Sequence, residues 1–190
     1  MSSISVVLPI YNERDNIVLL LDEIDAALGA TEHGWEIVAV DDGSTDGSRE
    51  LLRTLAGERK NLKVVLLRRN YGQTAAFDAG FRNATGDIVV TMDADGQNDP
   101  KDIAKLVARL DDGYDVVTGW RKNRQDGFIL RRFPSIIANW MIRKITGAEI
   151  HDLGCSLKVY RRAITDEMRL YGEMHRFISV IAEIVRIGFA

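Results

Sequence analysis

Four times between Ile4 and Leu110 the chain runs through the same cycle: a short apolar run, a polar turn, then apolar residues at helical spacing. Ile4-Ser5-Val6-Val7-Leu8-Pro9 precedes Asn12-Glu13-Arg14-Asp15 and the stripe Ile17, Leu20, Leu21, Ile24, Leu28. Trp35 to Val40 precedes Asp41-Asp42-Gly43-Ser44-Thr45-Asp46-Gly47 and a helix marked by Leu51, Leu52 and Leu55. Leu62 to Leu67 precedes Asn70-Tyr71-Gly72-Gln73 and a small-residue helix from Thr74 to Asn83. Ile88 to Met92 precedes an acidic turn and the stripe Ile103, Leu106, Val107, Leu110. Strands that are apolar on both faces and alternate with helices predict an α/β fold, with an open, mostly parallel sheet covered by helices on both sides.

In such a sheet, ligands bind beyond the carboxyl ends of the strands. The rule places Pro9, Tyr11 and Glu13, then Asp41 and Asp42, then Arg68 to Asn70, then Asp93 and Asp95 along one rim. Asp93 and Asp95 follow Ile88-Val89-Val90 and stand two apart, so extended backbone through Ala94 brings both carboxylates to one side. Asp-Ala-Asp-Gly can also be read as a polar turn, with Asp99 and Pro100 starting the next helix by N-cap and N1 chemistry. Several carboxylates at successive strand exits repel one another unless a cation or hydrogen-bond donors lie among them. An all-oxygen set of Asp93, Asp95 and the amide of Gln97 suits Mg²⁺ or Mn²⁺.

The chain has 190 residues, net charge −3 and a single cysteine, Cys155. One domain spanning residues 1–190 is expected, since no linker, repeat or low-complexity tract divides it. A mildly acidic chain has no general attraction for nucleic acid. One cysteine excludes an internal disulfide and a cysteine-rich zinc site. His33, His151 and His175 lack ligand spacing. No apolar run reaches 18 residues, the length from which a membrane-spanning helix is read, and the N-terminus lacks the basic, apolar pattern of a signal peptide.

Beyond a fifth strand, Tyr114 to Trp120, the composition changes. Arg121 to Lys144 holds seven basic residues and one acidic residue, interleaved with Phe128, Ile129, Leu130, Phe133, Ile136, Trp140 and other large apolar side chains. Such a segment suits an anionic membrane surface or a lipid phosphate, and equally a solvated helix with an ordinary core face. Cys155 to Val159 reads as a further strand. Arg162 to Met168 and Arg176 to Ile187 read as helices.

The turn Asp41-Asp42-Gly43-Ser44-Thr45-Asp46, the pair Asp93-Ala94-Asp95 and the pattern Gly80-x-x-x-Ala84-x-Gly86-Asp87 together resemble family-2 glycosyltransferases of the GT-A fold. Gln97-Asn98-Asp99-Pro100, Arg131-Arg132-x-x-Ser135 and Asp152-Leu153-Gly154-Cys155-Ser156-Leu157-Lys158 narrow the likeness to the polyprenyl-phosphate glycosyltransferases. The resemblance spans about Ser3 to Lys158. It implies a Rossmann-like sheet and an inverting, metal-dependent enzyme. The donor would be a GDP- or UDP-linked sugar, and the acceptor a polyprenyl phosphate. It also implies a place at the cytoplasmic side of a membrane, peripheral or anchored by segments outside these residues, and, since the family commonly continues through further strands, a domain cut at its C-terminal end.

By position, the resemblance puts Pro9, Tyr11, Glu13, Asp41, Asp42, Asp93 and Arg121 at the nucleotide-sugar, and Asp93, Asp95 and Gln97 at the metal. Arg131, Ser135 and Arg176 would meet the acceptor phosphate. Asp93, Asp95, Arg121, Arg131 and Asp152 form the expected catalytic set, although Asp41 could instead brace its loop and Asp152 could act indirectly. Other readings are a saccharide-hydroxyl acceptor, with Asp152 as base, and a non-catalytic nucleotide-sugar-binding or membrane-docking module. A nucleotidyltransferase would carry a Gly-rich basic loop where this chain has Leu8-Pro9-Ile10-Tyr11-Asn12-Glu13.

Overall fold

A computed structural model describes residues 2–119 and 155–168. The strands are β1 (Ile4–Ile10), β2 (Trp35–Asp41), β3 (Leu62–Leu66), β4 (Ile88–Thr91), β5 (Val116–Thr118) and β6 (Lys158–Arg161). The helices are α1 (Arg14–Gly29), α2 (Ser48–Glu58), α3 (Gln73–Asn83), α4 (Asp102–Leu110) and α5 (Arg162–Glu167). The six strands form one sheet in the order β3-β2-β1-β4-β6-β5. β3, β2, β1 and β4 pair in parallel, whereas β6 is antiparallel to both β4 and β5. The mixed α/β architecture with a mostly parallel sheet is therefore present, with β6 as the reversed strand.

Side-chain alternation splits the core into two layers. Ile4, Val6, Leu8 and Ile10 of β1 face one cluster, together with the stripe Ile17, Leu20, Leu21, Ile24 and Leu28 of α1 and residues of α2 and α4. Val7 faces the other, with Val38, Val40, Ala76, Phe77, Phe81 and Tyr160. Burying each large side chain contributes about 1.5–3 kcal/mol before the opposing entropy is counted. The helix stripes thus fix which face of each helix meets the sheet.

The small residues of α3 have a definite use. A Cβ on Gly80 would stand 2.2 Å from Val7 Cγ1, so the helix backbone rests almost directly on β1. At the amino end of the sheet, a Cβ on Gly86 would meet the Ser5 nitrogen at 2.7 Å. Asp87 there accepts from the Ser3 N–H at 2.8 Å and the Ser3 hydroxyl at 2.9 Å. Within the pattern Gly80-x-x-x-Ala84-x-Gly86-Asp87, Gly80 therefore seats α3 on the middle of β1, and Gly86 and Asp87 pin the end of the sheet away from the rim.

Three elements start two or more residues later than the sequence reading places them. β5 starts at Val116 because Asp111 to Gly113 forms a turn with Gly113 at φ +95°, which leaves Tyr114 half exposed. β6 starts at Lys158, since Ser156 is engaged elsewhere, as described below. α4 proper begins at Asp102: Asp99 Oδ1 accepts the Lys101 N–H at 2.9 Å and caps a tight turn across Pro100 that feeds the helix.

Candidate active site at the carboxyl ends of the strands

From β1 the chain moves outward to β2 and β3, then crosses back to place β4 on the other side of β1. The strand order reverses between β1 and β4, and the loops leaving these two strands diverge to open a crevice. A cavity of about 310 Å³ lies there, lined by Pro9, Tyr11, Glu13, Asp42, Asn70, Gly72, Gln73, Asp93 and Asp95, with Ile10 and Ala94. Four strand exits therefore meet at one place.

Asp41 and Asp42 are adjacent in sequence but have different surroundings. Asp41 ends β2 and is fully buried. One oxygen accepts Arg49 Nε at 2.7 Å and the other accepts the Ser44 N–H at 3.2 Å. Arg49 also donates to the Leu67 carbonyl, so this pair ties α2, the turn after β2 and the end of β3 together. Asp42 reaches the cavity, and its two oxygens accept the N–H groups of Tyr71 and Gly72, each at 2.8 Å. The backbones of the two loops touch: a Cβ on Gly43, at φ +77°, would stand 2.4 Å from the Arg69 carbonyl carbon and the Asn70 nitrogen. Only glycine fits there.

The loop after β1 is held just as closely. Asn12, at φ 58°, accepts the Thr45 N–H at 2.8 Å, and its own N–H reaches the Ser44 hydroxyl at 3.0 Å. The Glu13 N–H donates to the Ser48 hydroxyl at 3.1 Å, while a Glu13 carboxylate oxygen accepts from Asn16 Nδ2 at 2.6 Å. Asp46 accepts the Arg14 N–H at 3.0 Å and both the N–H and the hydroxyl of Ser48. Slight burial would raise its pKa, but the Ser48 bonds outweigh that and hold its carboxyl below the usual range. These bonds leave Tyr11 about half exposed at the mouth of the cavity.

On the β4 side, Asp93 Oδ1 accepts from Gln73 Nε2 at 2.5 Å, linking the carboxylate to the first residue of α3. Asp95 is exposed, and its Oδ1 accepts the Gln97 N–H at 3.0 Å. Gln97 itself lines a neighbouring groove against Glu23, Ala26 and Ala27 of α1 and Ala30 just beyond it, not this cavity. Sequence reading placed Asn70 on this rim but did not single out Gly72 or Gln73 as site residues. The signal available was their position at the third strand exit, where they read only as a turn. Arg121, Arg131, Ser135, Asp152 and Arg176, and with them the basic segment, lie outside the described residues.

The donor set fits a hard divalent cation. Asp93 and Asp95 line one cavity, and among the described residues no group of three His, Cys, Asp or Glu side chains forms a closed cage. Mg²⁺-type sites are commonly built from one or two carboxylates and completed by substrate phosphates and water. A carboxylate has several lone-pair sites, so the bonds from Gln73 and Gln97 orient Asp93 and Asp95 without exhausting them.

Residues 5–169 match the model of glycosyl transferase family 2. The chain belongs to this family. It is 49% identical over 191 residues to a dodecaprenyl-phosphate galacturonate synthase of Rhizobium johnstonii, a match covering 97% of this chain and 56% of that protein. It is 46% identical over 180 residues to an undecaprenyl-phosphate 4-deoxy-4-formamido-L-arabinose transferase of Klebsiella pneumoniae, covering 94% and 55%. Among solved structures, a mannosyltransferase of Pyrobaculum calidifontis in complex with GDP-Man and Mn²⁺ superposes with TM-score 0.66 at 25% identity, over 90% of this chain and 48% of that one. The fold is GT-A. The chain spans about half the length of the curated relatives it matches. Among the described residues no helix is long and apolar enough to cross a membrane.

Proposed function

We propose that this family-2 domain moves a sugar, with inversion, from a GDP- or UDP-linked donor to a polyprenyl phosphate at the cytoplasmic side of a membrane. The observation that carries the reading is the cavity where Pro9, Tyr11, Glu13 and Asp42 on one side meet Asp93 and Asp95 on the other. That spacing suits a ligand with a nucleoside at one end and a diphosphate at the other. The relatives named for dodecaprenyl- and undecaprenyl-phosphate support the acceptor class.

In this reading Pro9, Tyr11 and Glu13 contact the nucleoside. Asp42 shapes that end through the Tyr71 and Gly72 amides, and Asp41 braces the loop through Arg49. Asp93 and Asp95 hold Mg²⁺ or Mn²⁺, whereas Gln97, the third ligand expected from the sequence, faces the neighbouring groove and would have to turn toward the cavity to add an oxygen. When bound, such an ion offsets charge developing on the leaving diphosphate. Arg121 meets the donor diphosphate, and Arg131, Ser135 and Arg176 meet the acceptor phosphate. Because that phosphate is already an anion at neutral pH, it attacks without a strong general base. The arginines instead offset repulsion between two anionic substrates, and a planar guanidinium binds phosphate through two parallel bonds. Asp152 positions this side of the site.

The test is transfer of labelled sugar from a panel of GDP- and UDP-sugars to undecaprenyl phosphate in detergent, with and without Mn²⁺. The reading requires product extractable into organic solvent that depends on the lipid phosphate. Arg131→Ala should raise the acceptor concentration needed for half-maximal rate while leaving donor affinity unchanged, and Arg131→Lys should recover part of the loss. Unchanged acceptor dependence in both variants would reject the lipid phosphate and leave a glycosyltransferase with another acceptor.

A further inference from the structure

The loop from Met92 to Asp99, which carries the carboxylate pair, is tied at both ends to the segment that enters β6, through a single residue. At its start, Thr91 Oγ1 donates to the Ser156 carbonyl at 2.9 Å. Near its end, Asn98 Nδ2 donates to the Ser156 hydroxyl at 2.7 Å, and the buried Cys155 thiol stands 3.9 Å from Asn98 Oδ1. Asn98 is only 9% exposed, although it lies between the exposed residues Gln97 and Asp99. A buried amide left without partners costs about 1–3 kcal/mol, so this one is committed to its contacts. Between the two ties, Ala94 is buried at 3% exposure and the Gln97 N–H turns back to Asp95. The loop is thus a closed span with Ser156 as its common anchor.

We infer that Asn98 and Ser156 are positioning residues for Asp93 and Asp95, and that the clasp between them sets how tightly the pair holds a divalent cation. The inference rests on the metal reading given above and goes beyond it by placing the control of that site at the entry to β6. Held at both ends, the loop keeps Asp95 beside Asp93 before any ligand arrives. Released at Asn98, the backbone between Ala94 and Asp99 gains freedom that must be lost again on binding, which weakens affinity. Outer residues that orient metal ligands typically change affinity about 10- to 100-fold when removed.

The test is electron paramagnetic resonance titration of Mn²⁺ into the whole chain with UDP and, in parallel, GDP, combined with urea unfolding of each variant. Asn98→Ala and Ser156→Ala should each raise the Mn²⁺ dissociation constant about tenfold. The double variant should be no worse than the weaker single, because both remove one interaction. Ser156→Thr, which keeps the hydroxyl, should bind like wild type. If Asn98→Ala fails to fold, Ser156→Ala decides alone, since it removes one oxygen from a half-buried side chain. A lower unfolding midpoint with an unchanged Mn²⁺ constant would mean a purely structural contact and overturn the inference, as would additive effects in the double variant. Absence of Mn²⁺ binding by wild type with either nucleotide would overturn the metal reading itself, and this inference with it.

Discussion

Gln73 Nε2 donates to Asp93 Oδ1 across 2.5 Å, joining the first residue of α3 to the loop that leaves β4. The two residues before it in the same turn, Tyr71 and Gly72, donate their N–H groups to Asp42. One short turn therefore holds a carboxylate at each end of the cavity, Asp42 through two backbone amides and Asp93 through the Gln73 side chain.

Gln73→Ala should accordingly weaken metal-dependent donor binding by roughly tenfold, as expected for loss of an orienting partner. Gln73→Glu should be worse, because two carboxylates in contact cannot both ionise cheaply. Calorimetric titration of the donor at several Mn²⁺ concentrations separates this effect from a general loss of nucleotide affinity, which would shift all curves equally.

Asp95 is exposed and makes one bond to the Gln97 N–H, so it contributes little to the core. Asp95→Ala is expected to leave unfolding stability within about 0.5 kcal/mol of wild type and to abolish metal-dependent donor binding. Retained turnover in this variant would remove Asp95 from the metal site.

Gly80→Ala should destabilise the protein by about 1–3 kcal/mol, the usual cost of overpacking, because its new methyl meets Val7 Cγ1 at 2.2 Å. A Cβ on Gly57, in α2, would meet nothing within 4 Å. Gly57→Ala should therefore add about 0.5–1 kcal/mol through helix propensity alone. Opposite shifts in the urea midpoint would confirm that α3, unlike α2 at Gly57, rests directly on the sheet.

Glu36 gives a pH dependence separate from the site. Its partial burial raises its pKa, but the Ser5 hydroxyl, the Thr85 hydroxyl and N–H, and Lys63 together outweigh that and hold it below its ordinary value. A depressed folded pKa means that the stabilisation is complete above the unfolded value of about 4.3 and is lost as pH falls through the folded value. Urea unfolding from about pH 6 to about pH 3 should show wild type losing stability faster than Glu36→Gln. Parallel curves would deny Glu36 this role.

The sequence pattern led far into the fold because its apolar spacing carries direct geometric meaning. The five residues marked on α1 are the five buried there, and the acidic turns fall at strand exits because a parallel sheet puts all such turns on one rim. What spacing could not carry was direction and partnership. Periodicity does not distinguish a parallel from an antiparallel strand, so the reversal of β6 was not legible. For adjacent, chemically identical Asp41 and Asp42 the sequence could raise a bracing role for Asp41 but not decide it, because the difference lies in Arg49 on one side and two distant amides on the other. Gln73 read as part of a turn, since its partner is a carboxylate from a separate βα unit.

The reversed strand also governs the order in which the protein can be made. β4 offers one edge to β1 at once, but its other edge waits for β6, which is synthesised long after it, and among the described residues β5 has only β6 as its neighbour in the sheet. As the chain emerges from the ribosome, the β1–β4 half can assemble first while the outer edge of β4 stays open, a surface prone to pairing with other chains. Chaperone demand should therefore peak just before Lys158 to Arg161 becomes available.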